Sequence, residues 1–534
     1  MNRFLLVVLI VLSAGTVNAQ WGWNWNYPPD NENVTLTQTN LPIVFINVYG
    51  NTIDRYERIT ARMKIIDNGP GNLNYGDTVA HPNQTVDYEG YVGLRYRGNS
   101  SFSASDKKPY SFRTLNNTIE NGGEKVKVKI MGMPKDNNWA MLAPYSDKSM
   151  MRDVLAFELS RPWMDYAPRA KFCEMILDGI YYGVYVMTEV VSKGKHRLNL
   201  EDPGNEGDAL TGGYIVEVDR TDEVTYTSQY HPVSAQGWAY NNRYINFQYK
   251  FPEYDEMTTE QVNYINGRIH QMEAALYSAN FKDPETGYRQ YLDPLSFVDY
   301  QLAQELGHNV DGYRLSAKMF KRNDSLDPLF KMVLWDMNLA YGNSDYYNGW
   351  YTNTWVYQNN ATLNNAGDTQ LVPFWWYKLN KDEYYVDMLK NRWAQYRRSN
   401  FRTDRIMATI DSMATVLTVQ GAEQRNSRAW PRWGQYVWPN QYISQNFTDE
   451  INHLKEWISQ RLEWMDEQLG FDPNAVLLGD VDLSGIVDVT DVNIVINIIL
   501  KKETDSDFIS RADVNDDDMI DVSDVNGIIN IILH

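Results

Sequence analysis

Cysteine is almost absent from the sequence: Cys173 is the only one in 534 residues, so no intrachain disulfide can form. The seven histidines are scattered and lack the spacing of zinc ligands. The chain has neither a G-x-x-x-x-G-K-[ST] phosphate loop nor a G-x-S-x-G nucleophile elbow. These absences give no support to a disulfide scaffold, a zinc enzyme, a P-loop nucleotidase or an α/β-hydrolase.

Positive charge is in deficit, because 49 Lys and Arg stand against 69 Asp and Glu and the net charge is −20. A nucleic-acid partner needs a basic face, so we expect none. No run of about 18 apolar residues follows the first 19 residues, and we therefore expect no membrane span. The 17 Trp and 37 Tyr indicate either large cores with exposed Tyr or contact with sugar rings.

The first residues have the layout of a cleavable secretory signal. Arg3 precedes an apolar run over 4–12, and small residues follow up to Ala19. The run is too short to span a bilayer. We therefore expect a signal peptide over 1–19, a flexible aromatic leader over 20–40, and a secreted, extracellular protein.

The rest of the chain divides into a large body and a small tail. Strand-like stretches begin near residue 41 and recur at 60–66 and 90–97, and a mixed pattern of helices and strands follows. The predicted fold class is α+β, with a β-rich N-terminal part in a body over 41–469. Gly470 and Pro473 mark a linker over 470–478. Residues 479–534 are predicted to form a small all-α domain.

The tail contains an internal repeat with an offset of 33 residues, in which GDVDLSGIVDVTDVNIVINIIL returns as ADVNDDDMIDVSDVNGIINIIL. In each copy, oxygen-bearing side chains fall at positions of a 12-residue loop that a hard cation requires, and an apolar helix follows. The predicted Ca²⁺ ligands are Asp480, Asp482, Ser484, Asp488 and Asp491 in the first loop and Asp513, Asn515, Asp517, Asp521 and Asp524 in the second. Two acidic turns on a solvated face are the alternative.

Over its whole length the tail resembles a type I dockerin, which has tandem loop–helix units with Asp at position 12. The resemblance implies docking onto a cohesin module of a scaffoldin, as in a cellulosome. Positions 10 and 11 of each loop, which touch the cohesin in that family, are Val489-Thr490 and Val522-Ser523. The Ser or Thr fits the family and the Val departs from it, so the choice of cohesin stays open.

Two acids of the body follow predicted elements that lie close in sequence. The stretch DPLSFVDYQLAQELG (293–307) has helical spacing, and the loop after it contains Asp311. A strand over 317–321, a polar turn and a strand over 331–335 lead to Asp336. Because paired antiparallel strands bring their open ends together, the two acids are predicted to share one site, in which one orients a hydroxyl and the other holds Mg²⁺ or Mn²⁺. Each Asp alone is equally typical of a turn or a helix cap.

The N-terminal half offers a cation and a partner for it. Lys108 enters a strand in KKPYSFRT, and Glu158 lies on a predicted helix over 148–161. We expect these two side chains to pair, with a surface position for Lys108 as the alternative. A Lys strand, a Glu helix, two strands and then helix, acid, strand and acid follow the element order of a protein kinase.

Several stretches of the body together resemble the CotH kinase family of spore-coat and secreted proteins, over roughly 41–469. They are RYRGNSS (95–101), KKPYSFR (107–113), MGMPKDNNWAMLAPYSDKSMMRDVLAFELSR (131–161), GVYVMTEVVSKGKHRLNL (183–200), GGYIVEVD (212–219) and LWDMNLAYGN (334–343). The resemblance implies a divergent protein-kinase-like body that transfers phosphate from ATP to Ser or Thr of proteins.

By motif, the resemblance makes Asp336 the metal-binding Asp, Asp311 the catalytic-loop Asp and Lys108 the ATP lysine. Ser316 stands where typical kinases place a metal-binding Asn, and we expect Asn343, or else Asn338, to take that role. No G-x-G-x-x-G loop is present, so Gly98-Asn99-Ser100 is the candidate roof of the nucleotide site.

Three functions remain open from the sequence. The first is a secreted kinase-like enzyme held on a cellulosome-type scaffold by its tail. The second is a catalytically silent structural or adhesion module displayed in the same way. The third is a polysaccharide-acting component, because the many carboxylates leave room for a glycosidase pair, although no glycosidase motif is found.

Overall fold

The computed structural model describes residues 34–473, 475 and 477–533. The predicted signal peptide and most of the predicted leader lie outside these residues. Over the described chain, strands dominate the N-terminal region and helices the C-terminal region, as the predicted α+β class requires.

Within that part of the chain sixteen strands are formed. They are β1 Gln38–Thr39, β2 Ile43–Asn47, β3 Ile59–Ile66, β4 Asn74–Tyr75, β5 Val86–Tyr96, β6 Tyr110–Leu115, β7 Val128–Ile130, β8 Met133–Asp136, β9 Asn138–Leu142, β10 Ala170–Leu177, β11 Ile180–Glu189, β12 Tyr214–Val218, β13 Thr225–Thr227, β14 Asn246–Phe251, β15 Ala317–Lys321 and β16 Lys331–Val333.

The same residues form fourteen α-helices. They are α1 Ser100–Ser103, α2 Arg152–Ser160, α3 Gly207–Thr211, α4 Thr259–Tyr277, α5 Pro294–Gly307, α6 Asn360–Asn365, α7 Phe374–Leu379, α8 Glu383–Arg398, α9 Thr403–Thr418, α10 Ala422–Ala429, α11 Phe447–Leu469, α12 Val489–Ile499, α13 Ser506–Ala512 and α14 Val522–Leu533.

Seven strands of the N-terminal region close into a barrel in the order β10-β11-β9-β6-β5-β3-β2. The neighbours are antiparallel except β10 and β2, whose parallel pairing completes the barrel. Side chains alternate across a strand, so Val92 and Leu94 of β5 and Phe112 of β6 fill the interior. The strands predicted over 60–66 and 90–97 are both members of this barrel.

A second sheet of five strands, in the order β13-β14-β12-β15-β16, follows the barrel strands in the chain, and α4 and α5 precede its last two strands. The hairpin predicted before Asp336 is present, because β15 and β16 pair antiparallel with Lys318 opposite Val333. The second strand ends at Val333, two residues earlier than expected, since Asp336 adopts a left-handed backbone with φ of 61°. Helices α4, α5, α7, α8 and α11 supply apolar side chains to the core beside this sheet.

The tail consists of two loops, each followed by a helix, with α13 between them. Val481, Val495, Ala512 and Ile528 form a small core of their own. The helix that precedes the predicted linker, α11, ends at Gly470, whose φ of 69° suits a helix C-cap. Across the described residues, no helix has both the length and the apolar character needed to cross a bilayer.

A buried ion pair fixes the end of α5. Glu305 and Arg461 of α11 are both fully buried, and their Oε2 and Nη2 atoms lie 3.2 Å apart. Glu305 also accepts hydrogen bonds from the backbone of Val356 and Tyr357 and from the hydroxyl of Tyr313. The pair therefore ties two helices to the loop that contains Asp311.

We expect Arg461→Ala to lower the free energy of unfolding by about 3–5 kcal/mol, because it leaves Glu305 buried without its counter-charge. Lys455→Ala on the same helix is the matched control, since its exposed pair with Asp411 is worth at most about 1 kcal/mol. Urea unfolding measures both variants. Equal losses in the two would contradict the anchoring role of the buried pair.

Candidate functional site

Asp336 lies at the open end of the β15–β16 hairpin. Leu334 and Trp335 before it are buried, whereas Asp336 is exposed to solvent. Ser316, which precedes β15, also has a left-handed backbone with φ of 53°. Its hydroxyl donates to Oδ2 of Asp336 at 3.5 Å. Both ends of the hairpin therefore turn away from the sheet at one place.

Asp311 belongs to the loop after α5 and reaches the same place. His308 caps α5 in a left-handed conformation, and Asn309 Nδ2 donates to the backbone carbonyl of Asp336 at 3.0 Å. Arg314 Nη2 donates to Asp311 Oδ1 at 2.6 Å and holds its carboxylate, which is partly exposed. The loop is thus hydrogen-bonded to the end of the hairpin, and a shared role for Asp311 and Asp336 stays a prediction.

The charge of Asp311 acts on the carboxyl of Asp336. The many protein atoms around Asp336 raise the pKa of its carboxyl, and the negative charge of Asp311 raises it further. Arg97 and Lys318 oppose the rise. Like charges held close together are costly unless a cation is bound between them, so the arrangement suits a divalent ion.

A third acid at the site, Asp219, was not singled out from the sequence. It follows β12, and its Oδ2 accepts the backbone N–H of Ser316 at 3.2 Å. Burial raises the pKa of Asp219 to about 6. Ser316, which replaces the expected Asn, therefore touches two carboxylates, those of Asp219 and Asp336.

A fourth acid, Asp153 of α2, lies behind Asp336. Its Oδ1 accepts the backbone N–H of Met337 at 2.7 Å and so fixes the residue after Asp336. Burial, followed by the charge of Asp336, raises the pKa of Asp153 to about 8. Asn338 donates a short hydrogen bond to Asp336 Oδ1.

Three cations lie beside this group of acids in the described structure, and one of them, Arg220, has its Nη1 3.7 Å from Asp219 Oδ1. Lys318 of β15 forms a short buried ion pair with Glu217 of β12. Arg97, directly after β5, lies with its guanidinium carbon 5.0 Å above the Trp335 ring. Burial lowers the pKa of Arg97, and the charges of Asp336 and other acids counter the shift.

The structure corrects the expected pair of Lys108 and Glu158. Lys108 Nζ donates to the backbone carbonyls of Phe102 and Ser105 in its own loop. Glu158 accepts from Arg161, three residues further along the chain, at 2.6 Å. The reason is local: the carbonyls and the arginine lie within six residues of the side chains that they bind.

The structure also corrects the expectation that Asn343 is a cofactor ligand. It is buried, its Nδ2 donates to the carbonyl of Asn338 at 2.8 Å, and its Oδ1 accepts from Asn440 at 2.8 Å. Its amide is therefore used to fix the turn after Asp336. The side-chain amide of Asn338, the other candidate, contacts the carboxylate of Asp336.

A cavity of about 740 Å³ adjoins Asp311. Residues of six segments line it, among them Ser100 of the candidate roof, Asp222, Asp311, Tyr346 and Trp438. Trp438 is 42% exposed and stacks on Tyr346 with ring centroids 5.8 Å apart. The cavity has the size and the mixed polar and aromatic walls of a small-molecule or side-chain site.

Asp219 and Arg97 lie in the quoted stretches GGYIVEVD and RYRGNSS, yet their roles could not be seen in them. Both follow a strand directly, and Asp336 comes three residues after β16, so a position just beyond a strand was the available signal. The strands before these two residues belong to different sheets, since β5 is part of the barrel and β12 is part of the five-stranded sheet. The sequence pattern does not indicate that the ends of these two strands lie close together.

Comparison with protein families gives one match, to the family described as CotH kinase protein, over residues 94–465. The matched region is more than half of the chain and contains Arg97, Asp219, Asp311 and Asp336. It begins within β5, later than the residue 41 expected from the resemblance, and it excludes the tail. No curated protein matches the chain.

We expect Asp153→Asn to raise the free energy of unfolding by about 5 kcal/mol at pH 7.5 in a chelating buffer. The pKa of Asp153 is raised in the folded protein, so as pH rises its carboxyl loses its proton in the unfolded chain before it does so in the folded chain. The wild type therefore loses stability as pH rises from about 4 to about 8. The amide keeps the bond to Met337 and removes the titration. The gain should vanish near pH 4, and a gain of equal size at both pH values would contradict the assignment.

Proposed function

The chain belongs to the CotH kinase family, and on that premise we propose that its body transfers phosphate from ATP to a hydroxyl group, with Ser or Thr of a protein as the acceptor that the resemblance implies. One observation carries the proposal: the loop of Asp311 is hydrogen-bonded to the backbone of Asp336 at the open end of the hairpin, and the charge of Asp311 acts on Asp336. The protein-kinase-like fold is part of the proposal and rests on the order of α5, Asp311, β15, β16 and Asp336.

In this proposal each acid has one task. Asp311, held by Arg314, accepts the proton of the acceptor hydroxyl. The oxygen of that hydroxyl attacks the γ-phosphorus, and the bond between the γ-phosphorus and the oxygen of the β-phosphate breaks. Asp336, together with Asp219, supplies carboxylate oxygens that suit Mg²⁺ or Mn²⁺. A bound divalent ion supplies charge neutralisation for the phosphate oxygens.

The cavity beside Asp311 provides room for the acceptor. Arg314 is bound on both sides, by Asp311 and by Asp368 at 2.7 Å, so its charge is already compensated. The flat face of Trp438 and the polar groups around it can hold the segment next to the reacting hydroxyl.

Labelled ATP with Mg²⁺ or Mn²⁺ tests the kinase proposal. We expect the purified protein to transfer label to itself or to an added protein, and Asp336→Ala to reduce the transfer at least about 100-fold, because charge neutralisation is the main catalytic contribution here. Asp387→Ala, at an exposed position of α8, is the matched control and should keep full activity.

Nucleotide binding and sugar release, measured on the same two proteins, separate the other two functions. If neither protein binds nucleotide, the body is a silent structural or adhesion module and the kinase proposal fails. If the wild type instead releases sugar from plant polysaccharide without ATP, the protein is a polysaccharide-acting component. Transfer that survives in Asp336→Ala would contradict the assigned role of this residue.

For the tail we propose two Ca²⁺ sites. Carboxylate oxygens of Asp480, Asp482 and Asp491 lie within 4.8 Å of one another. Asp491 accepts the backbone N–H of Val481 and of Asp488, each at 2.8 Å, which closes the loop around it. The remaining proposed ligands of this loop are Ser484 and Asp488.

The second loop repeats these contacts. Asp524 accepts from Val514 at 2.8 Å and from Asp521 at 2.9 Å. Asp491 and Asp524 are fully buried, although carboxylates are rarely buried without a counter-charge. The repetition of the same backbone contacts supports two equivalent sites, and Asp513, Asn515, Asp517 and Asp521 are the other proposed ligands.

We further propose that the tail is a type I dockerin that binds a cohesin module of a scaffoldin, and that the protein is secreted and works outside the cell on that scaffold. The loop–helix repeat supports the dockerin. Val489 and Val522, at the positions expected to touch a cohesin, are both well exposed. Secretion rests on the sequence of residues 1–19.

A chelator tests the tail independently of the body. We expect EDTA to abolish cohesin binding in a pull-down and to lower the helical circular dichroism only slightly, because the body keeps its own core. Asp491→Ala with Asp524→Ala should have the same effect in the presence of Ca²⁺. Asp507→Ala, outside both loops, is the control, and binding that survives EDTA would contradict the Ca²⁺ proposal.

A further inference from the structure

The lysine that the family resemblance assigns to ATP is used inside its own loop. Lys108 Nζ donates to the carbonyls of Phe102 and Ser105 and lies 5.0 Å from the Phe102 ring. Its side chain is largely buried by these contacts. Lys108 therefore stabilises the segment between β5 and β6, which is the candidate roof of the nucleotide site.

Arg97 begins the same segment, but its side chain, unlike that of Lys108, does not bind the backbone of the segment. Its backbone N–H donates to the carbonyl of Pro109 at 3.1 Å, so the start and the end of the roof segment are tied together. Among the described residues, its buried Nη1 has no hydrogen-bond partner. Its guanidinium lies over Trp335, the residue directly before Asp336.

The other cation near Asp336 is already committed. Lys318 forms its ion pair with Glu217, and Lys250 lies 3.4 Å from the second oxygen of the same carboxylate. Arg97 is attracted to Asp336, Asp153 and Glu217 without an ion pair to any of them within 4 Å in the described structure. The Nη1 donor of Arg97 is therefore available for a ligand.

An arginine is well suited to phosphate. Its planar fork donates two parallel N–H bonds to phosphate oxygens, it stays charged when buried, and it stacks on aromatic rings. The position over Trp335 restricts the guanidinium before a ligand arrives, which lowers the entropy cost of binding.

We propose that Arg97, in place of Lys108, is the residue that binds the phosphates of the nucleotide beside Asp336. This inference rests on the proposed kinase function and goes beyond it, because it exchanges the roles of the two basic residues. Lys108 positions the roof segment, and Arg97 contacts the ligand.

Calorimetric titration of the full chain in Mg²⁺ with ATP, ADP, AMP and adenosine tests the proposal. We expect Arg97→Gln to weaken ATP binding at least about tenfold and to leave adenosine binding unchanged, so that affinity no longer rises with the number of phosphates. Arg97→Lys should lose less, because it keeps the charge without the fork.

Arg95→Gln is the matched control. Arg95 lies two residues earlier on β5 and donates to the carbonyl of Tyr56 at 2.9 Å, so its loss should change ATP affinity less than about threefold. Thermal unfolding of each variant checks that the fold is kept.

The outcomes are distinct. ATP binding by Arg97→Gln equal to that of the wild type overturns the inference and leaves the kinase proposal standing. An equal loss for ATP and adenosine also overturns it, because the effect is then not specific to phosphate. A wild type that binds none of the four compounds overturns the inference and the kinase proposal together.

Discussion

The buried ion pair of Glu305 and Arg461 is the constraint on which the candidate site depends. Arg461 also donates to the carbonyls of Thr352 and Thr354, while Glu305 binds the hydroxyl of Tyr313, two residues after Asp311. The pair joins α5, α11 and the loops between them. Burial disfavours both charges, raising the pKa of Glu305 and lowering that of Arg461 to about 10, so each needs the other. A loop that follows so rigid a helix end can hold a carboxylate in a fixed position.

That rigidity matters because the acids at the site repel each other. Burial is the main cause of the raised pKa of Asp153 and Asp219, and the surrounding protein atoms and the charge of Asp311 raise the pKa of Asp336. Without a firm framework such carboxylates would move apart into solvent. Hydrogen bonds from Ser316, Met337 and Asn338 keep them in place instead. The site is thus less stable than its surroundings without a ligand, as expected of a preorganised binding site.

Local patterns were sufficient for part of this structure. The β15–β16 hairpin, α5 and the repeated loops of the tail follow from spacing within about 30 residues. The roles of Lys108 and Asn343 did not follow, because backbone carbonyls and a distant Asn440 compete for these side chains. Asp219 and Arg97 were missed for a related reason: strand order, which no local pattern encodes, brings their elements together.

The balance of charge explains why the site suits a cation and an anion at once. Glu217 is neutralised by Lys318 and Lys250, and Asp311 by Arg314. Asp153 is protonated near pH 7, since its pKa is about 8. Asp219, whose Oδ1 lies 3.7 Å from Arg220 Nη1, and Asp336, whose charge attracts Arg97, then remain as the charged carboxylates. A divalent ion alone is repelled by Arg97, and a phosphate alone is repelled by the two carboxylates. A divalent ion bound to a phosphate places its positive charge beside the carboxylates and its negative charge beside Arg97. The geometry therefore favours a metal–nucleotide complex over either component.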